Sequence, residues 1–293
     1  MSNSPLVSVI IPAYKAEKYL AETVQSVFDQ THQNWELLIV DDGSPDGQEQ
    51  AIAPLVAADN RVQYIKQKNA GVAAARNHGF SKSKGEFVAF LDADDVWFAN
   101  NLQLKIAKFE SNPAYGLVHS DLAIIDENSV PTGETKQGKE GQLLHDLLSW
   151  QGTCIPTPSS ILVKRTVIEK VGLFDLELSN AADQEFFFRV ASQYLIGRVA
   201  KVTWQYRIHS QNMHSNIAVM EKDALRAYHL AEKNKLFESK AFRNLCFSNM
   251  YMIVGASWWG DGHNKWKGAT YLLKAIWVYP PAAKKVIQKI FKV

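Results

Sequence analysis

Three carboxylates stand within four residues at Asp92-Ala93-Asp94-Asp95, directly after the apolar run Phe87 to Leu91. Uncompensated charge held against a buried strand is costly, so such a cluster calls for a cation. Carboxylate oxygens are hard ligands suited to Mg2+ or Mn2+, and Mg2+ commonly takes one or two of them together with the oxygens of a bound phosphate. An isolated D-x-D reads first as a solvated turn with a helix cap. A second acidic turn, Asp41-Asp42-Gly43-Ser44, closes another apolar run and shifts the balance toward ligand binding. Asp41 or Asp42 can accept hydrogen bonds from a base or ribose, or can serve an Asx turn to which Ser44 and Asp46 belong.

Between these turns, Gly71 to Gly79 carries Arg76 and Asn77 in a helix that begins after a glycine. A guanidinium beside a helix N-terminus suits a diphosphate, although a solvated helix face is the plainer account. Further along, Ala181-Ala182-Asp183-Gln184-Glu185 offers two acids at the start of a helix, where acids are favoured in any case.

Alternating strands and helices must position these groups. Leu6 to Ile11 is a mostly apolar, β-branched run closed by Pro12, as expected of a strand covered on both faces. Glu17 to Phe28 spaces Leu20, Val24, Val27 and Phe28 as a helix does. Glu36 to Val40, Val62 to Ile65 and Phe87 to Leu91 read as further strands, and Val72 to Phe80 as an alanine-rich helix. Such alternation predicts a mixed, mainly parallel α/β sheet flanked by helices, and in open sheets of this kind ligands bind outside the carboxyl ends of the strands. After about residue 110 the pattern loosens, with a strand near Leu117 and Val118, a polar stretch from Asp126 to Gly141 and breaks at Pro156 and Pro158. From about residue 216 the chain reads as helical, with Trp258, Trp259, Trp266 and Trp277 supplying apolar surface.

Read together, Val7-Ser8-Val9-Ile10-Ile11-Pro12-Ala13-Tyr14, Val40-Asp41-Asp42-Gly43-Ser44, Gly71 through Ala75-Arg76-Asn77 and Phe90-Leu91-Asp92-Ala93-Asp94-Asp95 resemble the family 2 glycosyltransferases of the GT-A fold. The likeness covers roughly the first 215 residues in order and spacing. It implies a Rossmann-like domain whose first half (1–110) binds a nucleotide-sugar through Pro12, Tyr14, Asp41, Asp42, Arg76, Asp92 and Ala93. It further implies an acceptor-side half (111–215) and a C-terminal helical region (216–293). Asp92, Asp94 and Asp95 would hold a divalent metal, Mn2+ or Mg2+, on the diphosphate. Tyr206-Arg207-Ile208-His209 resembles a segment that some members place beside the metal, which adds His209. The family's catalytic base falls on Asp183; the acid that precedes it in the family is Ala182 here, and Glu185 is the rival base. An inverting transfer from a nucleotide diphosphate sugar, with UDP as the expected carrier, to a hydroxyl of a carbohydrate or lipid-linked acceptor follows. Cell-surface polysaccharide or glycoconjugate synthesis is the expected setting. The Gln-x-x-Arg-Trp motif of processive members is not found, so one transfer per encounter is expected. Two other readings stand beside this one: a nucleotide-sugar-binding protein without catalysis, and a nucleotidyltransferase, for which the loop Pro12-Ala13-Tyr14-Lys15 lacks glycines.

Composition sets outer bounds. With 46% hydrophobic and 21% charged residues, the chain has ordinary globular usage. A net charge of +2, from 32 basic and 30 acidic residues, gives no general field for nucleic acid. Cys154 and Cys246 form no C-x-x-C pair and suit a reducing compartment, so a cytoplasmic location is expected. Ala282 to Val293 reads as a small basic amphipathic helix with Val286, Ile287, Ile290 and Phe291 on one side and Lys284, Lys285, Lys289 and Lys292 around the rest. Such a helix can lie on the inner face of a membrane or dock on the protein's own helices.

Overall fold

The computed structural model describes residues 4–150, 152–210 and 216–284. Contacts group the chain into two compact units, one of Met1–Leu143, Thr153–Glu177 and Gln193–Gln211, the other of Leu144–Gly152, Leu178–Ser192 and Asn212–Val293.

The first unit begins with four strands, β1 (Val7–Ala13), β2 (Trp35–Asp41), β3 (Val62–Lys66) and β4 (Phe87–Phe90), all parallel in the order β3-β2-β1-β4. Helices α1 (Leu20–Phe28), α2 (Gln48–Ala58) and α3 (Val72–Lys82) make the crossovers. Val7, Val9, Ile10 and Ile11 are all fully buried, which is why β1 reads as an unbroken apolar run. Pro12 lies in β1 one residue past Ile11, beyond the last pair, Ile10–Phe90, that β1 makes with β4, so its missing N–H falls at the end of that ladder. The helix α3 lies close on β1, since a Cβ on Gly79 would come within 2.5 Å of Ile10.

Beyond β4 the sheet changes direction. After β5 (Val96–Trp97) and α4 (Asn101–Ser111) come the long β6 (Tyr115–Ile125) and its exposed partner β7 (Pro131–Lys136). The strand expected near Leu117 is thus eleven residues long, and the polar stretch after it holds a hairpin strand. Strand β8 (Ile161–Lys164), followed by α6 (Arg165–Val171), pairs antiparallel with both β4 and β6. Strand β9 (Leu195–Arg207) runs parallel to β6 and antiparallel to β5. A nine-stranded mixed sheet results, in the order β3-β2-β1-β4-β8-β6-β9-β5 with β7 on β6.

The second unit is helical: α5 (Leu144–Ser149), α7 (Ala182–Ala191), α8 (Ile217–Lys233), α9 (Lys240–Trp259) and α10 (Lys265–Val278). Two segments of the expected acceptor-side half, 144–152 and 178–192, belong here rather than with the sheet. Their apolar side chains explain it. Phe186, Phe187 and Phe188 are buried, Phe188 packs edge-on against Tyr228 of α8, and His145 stacks on Phe242 of α9 at 4.2 Å. Both cysteines are buried free thiols. No described helix is long and apolar enough to cross a membrane. The basic helix expected over 282–293 falls outside the described residues from position 285 onward.

One buried titratable group in the first unit bears on stability. His119 of β6 is fully buried, its Nε2 meets the Lys139 carbonyl at 2.7 Å, and its Nδ1 has no hydrogen-bond partner. Burial pushes its pKa down from 6.5 to about 4. The unfolded chain therefore takes up a proton first, and stability present above pH 6.5 is lost as the pH falls toward 4. Over that interval the loss from this group should reach about 3 kcal/mol. Urea unfolding of wild type and His119→Gln at neutral and mildly acidic pH should show a flatter pH dependence in the variant.

Candidate active site

The carboxyl ends of β1, β2 and β4 form one rim, since Ala13 lies opposite Asp41 and Ile10 opposite Phe90. From this rim project Tyr14, the Asp41-Asp42 turn and the Asp92–Asp95 turn. Tyr14 is 47% exposed, and Lys15, in a left-handed conformation, donates its N–H to Ser44 Oγ and sets its Nζ over the Tyr14 ring, 5.3 Å from the centroid. Pro12 is half-buried behind it.

Asp41 and Asp42 are both buried and already hold protein donors. Asp41 accepts from the Ser44 N–H at 2.8 Å and from the Tyr64 hydroxyl at 2.9 Å. Asp42 accepts from the N–H groups of Ala70 and Gly71, each at 2.8 Å, and from Gln67. It therefore fixes the loop that starts α3, where Gly71 takes a φ of 92° that only glycine adopts without strain. Both oxygens of Asp41 and Oδ2 of Asp42 each accept one of these bonds, whereas Asp42 Oδ1 accepts two and is saturated.

The acidic turn is pinned from several sides. Thr23 of α1 donates its hydroxyl to the carbonyls of Ala93 (3.0 Å) and Asp95 (2.9 Å). Ser159 Oγ accepts the Asp92 N–H, and Arg207 at the end of β9 gives its Nε to the Asp94 carbonyl at 2.8 Å. Arg207 is itself fully buried, paired with Glu22 at 2.7 Å and lying over the Tyr19 ring.

Within that frame the three carboxylates differ. Asp92 accepts from Arg76 at 2.6 Å, with side chains 29% and 6% exposed respectively. Arg76, expected to reach a diphosphate, is thus buried between Asp92 and the Phe174 ring and orients Asp92. Its neighbour Asn77 clasps the backbone of Phe174 through both amide atoms. Asp94 meets His209 Nε2 at 2.8 Å, and His209 packs against Tyr19. Asp95, expected among the metal ligands, instead faces inward: it is fully buried and accepts the Arg207 N–H at 3.1 Å. Burial first, then the charges of Asp94 and Asp92, push its carboxyl well above the usual range. Ala93 contributes its pinned carbonyl.

Among the described residues no three His, Cys, Asp or Glu side chains converge closely enough to hold a metal ion unaided. Two half-exposed carboxylates that leave further positions to phosphate oxygens are nonetheless a donor set that Mn2+ and Mg2+ accept. His209 Nε2, on Asp94, is placed where an outer partner that orients such a carboxylate would be. A cavity of about 520 Å³ opens beside His209 and Tyr19, lined also by Lys15, Glu17, Asp46 and Glu127.

In the helical unit, Asp183 stands in the first turn of α7, half-buried, with Oδ1 accepting the Gln184 N–H. Glu185 is buried and held by Arg189 through contacts of 2.7 to 3.0 Å, which commits it to that ion pair. Sequence reasoning missed Asp223 of α8, whose buried Oδ2 accepts the N–H groups of Ser179 (2.8 Å), Asn180 (2.7 Å) and Ala181 (3.4 Å) and so fixes the approach to α7.

Thr23→Val keeps the volume but strips two buried carbonyls of their donor, at a cost of about 1–3 kcal/mol. Chemical denaturation should register that loss, and Mn2+-dependent nucleotide binding should weaken in parallel as the acidic turn loosens.

Residues 8–172 match the Glycosyl transferase family 2 model. An uncharacterized glycosyltransferase of Nostoc is 35% identical over 72% of this chain and 67% of its own length. The Escherichia coli UDP-Glc:alpha-D-GlcNAc-diphosphoundecaprenol beta-1,3-glucosyltransferase WfgD is 38% identical over 43% of this chain and 49% of its own. In fold, the mannosyltransferase PcManGT of Pyrobaculum calidifontis, solved with GDP-Man and Mn2+, superposes with a TM-score of 0.63 at 18% identity, covering 97% of this chain and 76% of that one. With more than half of its length under one family model and an acidic rim where GT-A strands end, the chain belongs to glycosyl transferase family 2.

Proposed function

We propose that this protein transfers a glycosyl group from a nucleotide diphosphate sugar, with UDP as carrier, to an acceptor hydroxyl with inversion. The observation that carries the reading is the clamped acidic turn after β4, in which Asp92 and Asp94 stay half-exposed while Asp95 turns inward. A UDP-sugar donor and a lipid-linked acceptor stand in the name of the E. coli relative, and Mn2+ accompanies the P. calidifontis enzyme. A carbohydrate or lipid-linked acceptor is the corresponding proposal here.

Tyr14 offers an exposed ring for stacking a base at the end of β1, and Asp41 a carboxylate for its polar edge or the ribose. Asp92 and Asp94, set by Arg76 and His209, would hold a divalent cation together with the diphosphate oxygens. That ion, when bound, supplies positive charge against the negative charge that grows on the departing nucleotide. Asp183 is the proposed base. As the acceptor oxygen bonds to the anomeric carbon, its proton passes to the Asp183 carboxylate and the bond to the diphosphate oxygen breaks. Glu185 is the weaker choice because its buried carboxylate is already held in an ion pair by the Arg189 guanidinium.

Asp183→Asn should lower transfer about 10²–10⁴-fold while donor affinity, measured by calorimetry, stays within error. Transfer at the wild-type rate would remove Asp183 from the mechanism, and wild type that binds but never transfers across a panel of acceptors would favour a binding protein. Asp94→Ala should abolish the difference between nucleotide titrations run with and without Mn2+. Thermal shifts with UDP and GDP sugars test the carrier.

A further inference from the structure

Helix α10 buries Gly268, Tyr271, Leu272 and Ala275. On its opposite side Trp266 is 88% exposed, Leu273 67% and Trp277 84%. At 100° per residue, these three positions fall within about 40° of one another, so they form one stripe along the helix. Large apolar side chains aligned and left to solvent mark an interaction surface rather than scattered exposure.

The charge around the stripe is one-sided. Lys265 and Lys274 are exposed and fall on either flank of it, and Lys284 is exposed after the helix ends. From Gly262 to Val293 the sequence has seven lysines and no acidic residue, although the whole chain carries only +2. Indole rings favour the headgroup level of a bilayer, where the ring is buried and the N–H stays wet. Lysines on the flanks reach outward to anionic headgroups while their stems lie along apolar surface. A second copy of the chain is a poor occupant, because a two-fold contact through this face would set lysines against lysines with no acid to pair them.

We propose that the Trp266–Leu273–Trp277 face of α10 docks the protein on an anionic phospholipid surface. The proposal concerns the helical unit alone and is independent of the transfer chemistry.

Flotation of the full-length protein with vesicles of phosphatidylcholine, alone or mixed with phosphatidylglycerol, provides the test. Wild type should float with the mixed vesicles and remain below with phosphatidylcholine alone. The double variant Trp266→Ser/Trp277→Ser should bind the mixed vesicles at least tenfold more weakly at an unchanged melting temperature, since both side chains lie in solvent. Lys265→Glu/Lys274→Glu should lose most of the dependence on anionic lipid. Wild type that floats with neither vesicle overturns the proposal, as does a tryptophan variant that floats as well as wild type. Self-association in sedimentation velocity that the tryptophan variant abolishes, without any flotation, would assign the face to a second copy instead.

Discussion

Three carboxylates in four residues repel one another, and the fold around them can be understood as the means of keeping them together. Each is handled differently. Asp92 is met by a guanidinium, Asp94 by an imidazole, and Asp95 by removal from water, which favours its neutral form. Net charge at the rim is therefore lower than the sequence suggests, while two carboxylates remain open to a ligand. A bound cation would set attraction against the repulsion among these carboxylates.

Holding the backbone of such a turn requires partners from distant parts of the chain. Strand β4 ends where β8 approaches it antiparallel, which brings Ser159 to the Asp92 N–H. The long parallel pairing of β6 with β9 carries Arg207 to the Asp94 carbonyl, 113 residues away in sequence. The change from parallel to antiparallel pairing thus does more than extend the sheet. It delivers the clamp.

Much of this was legible in the residues, for identifiable reasons. Leu6 to Ile11, Glu36 to Val40 and Phe87 to Leu91 read as strands because a parallel sheet buries both faces, and the acidic turns after the last two stand out by composition. Thr23, Ser159 and Glu22 do not, because each acts as a single polar side chain whose partner lies far off in sequence. A D-x-D-D string does not say which carboxylate faces water, and the structure turns Asp95 inward. The segments 144–152 and 178–192 were assigned by their order along the chain, whereas the buried faces of Phe186, Phe187 and Phe188 decide their placement.

The two acids of α7 show how environment separates residues that the sequence leaves equivalent. Glu185 is buried and meets the Arg189 guanidinium one turn on, so freeing its carboxylate would break a buried ion pair. Asp183 is half-buried, and its Oδ1 accepts the Gln184 N–H at the start of the helix. Ala182, fully buried beside it, adds no second charge at the start of the helix. The placement of Asp183 is in turn fixed by a carboxylate that does no proton transfer, because Asp223 gathers the three N–H groups that lead into the helix. The two acids of α7 therefore differ in what holds them: Glu185 meets a guanidinium one turn on, and Asp183 the N–H at the start of the helix.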